Sequence, residues 1–125
     1  MTRLGYTNPK VPKATKSPTP RELEWAAGFL EGEGCFSGSR SLISASQSSR
    51  EPLDRLQGLF GGSIGQYAYT SSWRKGGKKA YWLWTVTGSR ARGVMMTLYS
   101  LLTIRRKEQI RQSLARDMMG SRRTL

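Results

Sequence analysis

Two runs dense in aromatic and β-branched side chains, "SIGQYAYTSSW" (63–73) and "AYWLWTVT" (80–87), are joined by "RKGGKK" (74–79). Gly76-Gly77 at the centre of that hexamer suits a tight turn, so the runs predict an antiparallel hairpin. A hairpin needs a partner layer to bury one face. In the second run Trp82, Trp84 and Val86 share one parity and Tyr81, Leu83 and Thr85 the other, so one set packs under helices. Core packing, not base stacking, is the default for such aromatics.

The remaining chain supplies those helices. Thr19 is an N-cap followed by Pro20 at the first helical position and Glu22 three residues on, a capping box. The helix it starts carries Leu23, Ala26, Ala27 and Leu30 at helical spacing and is expected to end near Leu30 or Glu31. Residues 35–48 predict two short strands turned near Gly38–Ser41. In "EPLDRLQGLFGG", Leu53, Leu56, Leu59 and Phe60 form an apolar stripe that Gly61-Gly62 terminate. After Gly93, Val94, Leu98 and Leu101 share a face, and "RRKEQIRQSLARDMM" continues helically through Ile110, Leu114 and Met118. The fold class is thus α+β in the order α-β-β-α-β-β-α, over residues 20–118. A flexible basic arm precedes it at 1–19, in a stretch to residue 20 that holds four of the five prolines, and a basic tail follows at 119–125.

Charge narrows the function. Twenty-one Lys and Arg against eight Asp and Glu give +13, and the usual partner of so basic a small domain is a polyanion. Between Asp54 and Glu108 there is no acid at all. Histidine is absent, which closes imidazole metal sites, Ser-His dyads and His general bases together. Cys35 is the one cysteine, so neither a disulfide framework nor a cysteine zinc site exists within the chain. The N-terminus lacks the apolar stretch of a secretory signal, and no run is long enough to span a bilayer.

Against that basic background, "WAAGFLEGEGCF" (25–36) threads Glu31 and Glu33 between Gly32 and Gly34. On a helix, residues two apart point roughly 200° from each other, so the two glutamates cannot form one paired-carboxylate site. A carboxylate at a helix C-terminus meets the negative end of the macrodipole, a penalty that a bound divalent cation reverses. Magnesium takes one or two protein carboxylates and completes its shell with water and phosphate oxygens, so one Glu per chain suffices. Ala27, Gly28 and Gly32 are small enough to let two helices approach closely. A two-fold dimer through that stripe would bring two copies of Glu33 together, the arrangement two-metal phosphodiester cleavage uses.

"AAGFLEGEG" (26–34) resembles the motif of the LAGLIDADG homing endonuclease family, and the likeness extends over about residues 21–115. The resemblance implies a four-stranded antiparallel sheet shaped as a DNA-binding saddle, with the motif helix at a dimer interface. It implies that Glu33, helped by the backbone carbonyl of Gly32, is the metal ligand. Glu31 is then structural, satisfying the partner's motif helix. Gln47, late in the second strand, is similar to a polar residue used near the scissile phosphates. A basic residue entering the last helix would polarise the water network. Arg105, Arg106 and Lys107 compete for it, and Lys107 is favoured because an ammonium shifts its pKa where a guanidinium does not. Two departures stand out: Ala26 replaces the motif's leading leucine, and Glu33 replaces the usual aspartate. With a single motif, the resemblance implies a homodimer or half of something larger.

The function so implied is site-specific cleavage of double-stranded DNA with Mg²⁺, or another divalent cation such as Mn²⁺. An intron or other mobile element is the implied origin, and a bacterial, phage-host or organellar interior the implied compartment. Arg74, Lys75, Lys78 and Lys79 in the hairpin, with Arg105 and Arg106, are expected on phosphates. Arg40, Gln66 and Arg74 are candidate base readers. Two rivals share the charge and the fold elements: a maturase-like protein binding intron RNA, and a non-catalytic basic nucleic-acid binder.

Overall fold

A computed structural model describes residues 17–37, 41–70 and 78–123. The elements run α1 (Pro20–Glu33), β1 (Gly34–Ser37), β2 (Leu42–Gln47), α2 (Glu51–Phe60), β3 (Ser63–Thr70), β4 (Lys78–Thr87), α3 (Gly88–Leu98), a 3₁₀ turn (Tyr99–Leu101) and α4 (Ile104–Arg123). The α+β class and the four-stranded antiparallel sheet stand as expected. The order gains one helix.

The capping box is present: Thr19 Oγ1 accepts from the Glu22 amide at 3.2 Å, and Glu22 Oε1 accepts from the Thr19 amide at 2.8 Å. Such a cap contributes about 1 kcal/mol. The helix runs two residues past its expected end, to Glu33, because a single glycine at position 32 costs it only about 1 kcal/mol. The break falls at Gly34, whose amide donates back to the Leu30 carbonyl.

The second difference lies between residues 88 and 104. The helix expected after Gly93 begins at Gly88, and its buried stripe is Ala91, Val94, Met95 and Leu98. It does not continue into the basic helix. Leu102 turns extended after the 3₁₀ turn, and α4 starts afresh. Leu101, expected on the apolar face, is instead 47% exposed.

The strands are ordered β1-β2-β4-β3, all antiparallel. Register settles the two faces. Ile43 pairs with Val86 and Ala45 with Trp84, and Phe36 joins that row through Ile43. All five are buried, so this is the helix-packed face. Trp84, Leu30, Ile43, Leu53, Leu56, Met95, Leu98 and Ile110 are its most completely enclosed side chains and draw on all four helices. Trp84 also donates its indole N–H to the Gly61 carbonyl at 2.9 Å, tying the end of α2 to the sheet. The opposite parity, Ser44, Ser46, Tyr81, Leu83, Thr85, Gly65 and Tyr67, forms a face with no described side chain buried. No described helix is long and apolar enough to cross a membrane.

Candidate active site and nucleic-acid interface

Glu33 is the last residue of α1 and Gly34 the first of β1, so helix passes to strand with no loop between them. The joint is tight. A Cβ on Gly34 would stand 2.8 Å from the Leu30 carbonyl oxygen and 2.9 Å from its side chain, so the site needs glycine. β1 pairs with β2 from Gly34↔Ala45 onward, which carries the end of β2 to the end of α1. Gln47, the last β2 residue, there donates its side-chain N–H to Glu33 Oε1 at 2.8 Å.

Glu33 and Gln47, named from sequence for one site, are thus in direct contact. They line an open hollow of about 680 Å³ with Ser46, Ser48, Ala80, Tyr81 and Leu83. Glu33 is exposed, and its carboxylate keeps lone pairs beyond the one Gln47 occupies. Gly32 is also exposed, with open space beside its Cα. Its carbonyl belongs to the last turn of α1, where helices leave oxygens unpaired. These are hard oxygen donors, the type Mg²⁺ takes. Among the described residues no cluster of three or more acidic, Cys or His ligands exists, so water, phosphate or a second chain must complete any such shell.

Glu31 turns elsewhere. It accepts from the Thr103 amide at 2.9 Å and the Thr103 hydroxyl at 2.7 Å, at the start of α4. Arg106, 7% exposed, donates Nε to the Glu31 carbonyl at 3.0 Å and Nη1 to Gln109 at 2.8 Å. Burial pushes the Glu31 carboxyl up, but the two Thr103 hydrogen bonds and the Arg106 and Arg105 charges outweigh it and hold the group below its ordinary 4.5. Glu31 thus ties the end of α1 to the start of α4 within its own chain.

The other residues expected at the site are placed as follows. Arg106 is buried, and its guanidinium clamps the end of α1. Ala27 is 3% exposed and packs in the chain's own core, so of the three small residues Gly28 and Gly32 are the open ones. Gln66 pairs across β4 with Trp82, in the same row as Gln47, and is exposed. The phase of β3 was unreadable because it has apolar residues at both parities. Lys107 does not line the hollow; its ammonium lies 5.5 Å from the Tyr99 ring centroid. Arg105 is exposed. Lys78 and Lys79 open β4, whereas Arg40, Arg74 and Lys75 lie outside the described residues.

Register brings a different cation into the neighbourhood. Arg50 sits 5.0 Å over Trp82, the cross-strand partner of Gln47, and is held by Asp54 at 2.8 Å. Its place three residues after Gln47 was the available signal.

The family model described as LAGLIDADG-like domain matches residues 21–115, about three quarters of the chain. The chain belongs to that family, which comprises homing endonucleases and maturase-type proteins. No curated protein and no solved structure matches it significantly.

Proposed function

We propose that the protein is a site-specific endonuclease that cuts both strands of duplex DNA as a homodimer with Mg²⁺, Mn²⁺ serving in its place. The observation that carries this reading is the Glu33–Gln47 pair in an open hollow at the rim of the uncovered sheet face. The +13 charge supports a polyanionic substrate, and the acid-free span from Arg55 to Lys107 covers β3, β4 and the start of α4.

Glu33 and the Gly32 carbonyl would hold the cation. When bound, it would supply positive charge at the scissile phosphate and ease deprotonation of water. Gln47 fixes the Glu33 carboxylate through Oε1, so the ligand enters the reaction already oriented. In hydrolysis one P–O ester bond breaks as a P–O bond to water forms, and the hollow is open enough to admit a backbone phosphate.

The dimer rests on α1. Gly28 and Gly32 are exposed with nothing within 4 Å of an added Cβ, so a second helix can lie against the backbone there. Leu101 and Ile104, 47% and 79% exposed, flank the Thr103 that Glu31 holds and extend that face with apolar surface. A two-fold axis along it brings both Glu33 side chains near one duplex.

The test is cleavage of an insertion-site or randomised duplex library in Mg²⁺ and in EDTA, by wild type and Glu33→Gln. Wild type should cut only with metal. The variant should bind as well but cut at least ~100-fold more slowly, since even outer-shell ligand partners are worth 10–100-fold. Equal cutting by the variant would remove Glu33 from the reaction. Salt-sensitive binding with no cut by either protein would point to the RNA-binding branch of the family.

A further inference from the structure

On the uncovered face, Tyr67 of β3 stands directly opposite Tyr81 of β4. Their ring centroids are 5.8 Å apart with planes 23° from parallel, and Tyr67 is 50% exposed. Cross-strand aromatic pairs often do no more than stabilise a hairpin. Two further features set this pair apart.

The first is Gly65, two residues before Tyr67 and so on the same face. A Cβ there would come within 3.1 Å of Tyr67 Cε1 and 3.4 Å of its hydroxyl oxygen. The Tyr67 ring therefore lies back along the strand over the space the missing side chain leaves. It forms a low ledge on the sheet, not a post. The second is location. Tyr81 lines the same hollow as Glu33, Gln47, Ser46 and Leu83, so the ledge adjoins the candidate cleavage centre.

We infer that Tyr67, backed by Tyr81, is a specificity-determining residue that reads a thymine in each half-site by packing its ring against the base's C5 methyl group. This rests on the duplex-DNA reading above. A sheet lying in the major groove meets four base-pair patterns, and the thymine methyl is their apolar feature. A broad ring leaning back along the strand can cover a methyl without displacing the sheet from the groove. The hollow on one side and the ledge on the other place that thymine close to the cut.

The experiment is a binding selection from a randomised duplex library in EDTA, so that no cleavage is needed, read by sequencing the bound fraction. Wild type should show a thymine preference at one position per half-site. Tyr67→Phe should keep that preference. Tyr67→Ala should lose it while preferences elsewhere persist, and Gly65→Ala, which lifts the ring, should weaken it. Replacing that thymine by deoxyuridine should reduce wild-type binding about fourfold, the value of one buried methyl, and leave Tyr67→Ala unaffected. An intact thymine preference in Tyr67→Ala would overturn the inference alone. So would Tyr67→Phe losing as much as Tyr67→Ala, because the hydroxyl would then be the reader. A wild type with no preference for any duplex would overturn this inference and the endonuclease reading together.

Discussion

Replacing Glu31 by alanine should loosen the joint between α1 and α4, and the size of the effect follows from its contacts. The carboxylate accepts two hydrogen bonds from Thr103, at 2.9 and 2.7 Å. Bonds to a charged acceptor are worth about 1.5–3 kcal/mol each when sheltered. The Glu31 side chain is 28% exposed, so we take about 1 kcal/mol for each. Its charge near the amino end of α4 adds about 0.5 kcal/mol. Arg106 loses an ionic neighbour at 3.9 Å but keeps the Glu31 carbonyl and Gln109, which limits the further loss to about 0.5 kcal/mol. The alanine variant should therefore be about 3 kcal/mol less stable. Glu31→Gln retains an acceptor for Thr103 and should lose only about 1 kcal/mol. Urea unfolding followed by tryptophan fluorescence at fixed protein concentration measures both, the concentration being held because a dimer's stability depends on it. The pH dependence is a second readout. The carboxyl is held below 4.5 in the folded chain, so its contribution is full above that value and fades as pH falls through the folded value. The gap between wild type and Glu31→Gln should stay constant from neutral pH to about 5 and close below about 4.5. An alanine variant within about 0.5 kcal/mol of wild type would refute the account of this joint.

Four further outcomes are expected. Gly62 has φ +95°, and an added Cβ would stand 2.7 Å from the Thr85 carbonyl oxygen, so Gly62→Ala should cost at least about 2 kcal/mol. Gly58, inside α2 with nothing within 4 Å, should instead gain about 0.5–1 kcal/mol on replacement by alanine, and thermal unfolding of the two variants side by side decides it. Trp84→Phe leaves the Gly61 carbonyl without its indole partner in the core and should cost about 2 kcal/mol by urea titration. Thr19→Ala, breaking the reciprocal cap of α1, should lower stability by about 1 kcal/mol in the same assay.

What could be seen in the sequence was whatever local chemistry dictates. The Thr19–Glu22 cap, the antiparallel pairing of β3 with β4 and the alternation of Trp82, Trp84 and Val86 each depend on residues close in the chain; the turn expected at Gly76-Gly77 lies outside the described residues. Long-range partners were hidden. Nothing near Glu31 announces that its acceptors meet Thr103, 72 residues away. Nor does the sequence around Arg106 reveal that the end of α1 claims it. The α3 start was missed because "SRAR" reads as polar, although Ala91 within it is fully buried. In the site, Glu33 and Gln47 were each named on motif position, yet their contact follows from β1–β2 register, which sets which strand end reaches the helix. The Tyr67 ledge needed the ring's direction over Gly65, a matter of rotamer and not of composition.

The loop-free passage from Glu33 to Gly34 has a consequence for how such a protein can change. The carboxylate is fastened to the rigid framework of helix and sheet, and that framework is held by one parity of β2, β3 and β4. The other parity holds no buried side chain among the described residues, so exchanges there cost the core little. On the endonuclease reading proposed above, target preference would drift along half the strand positions while the carboxylate stays where it is.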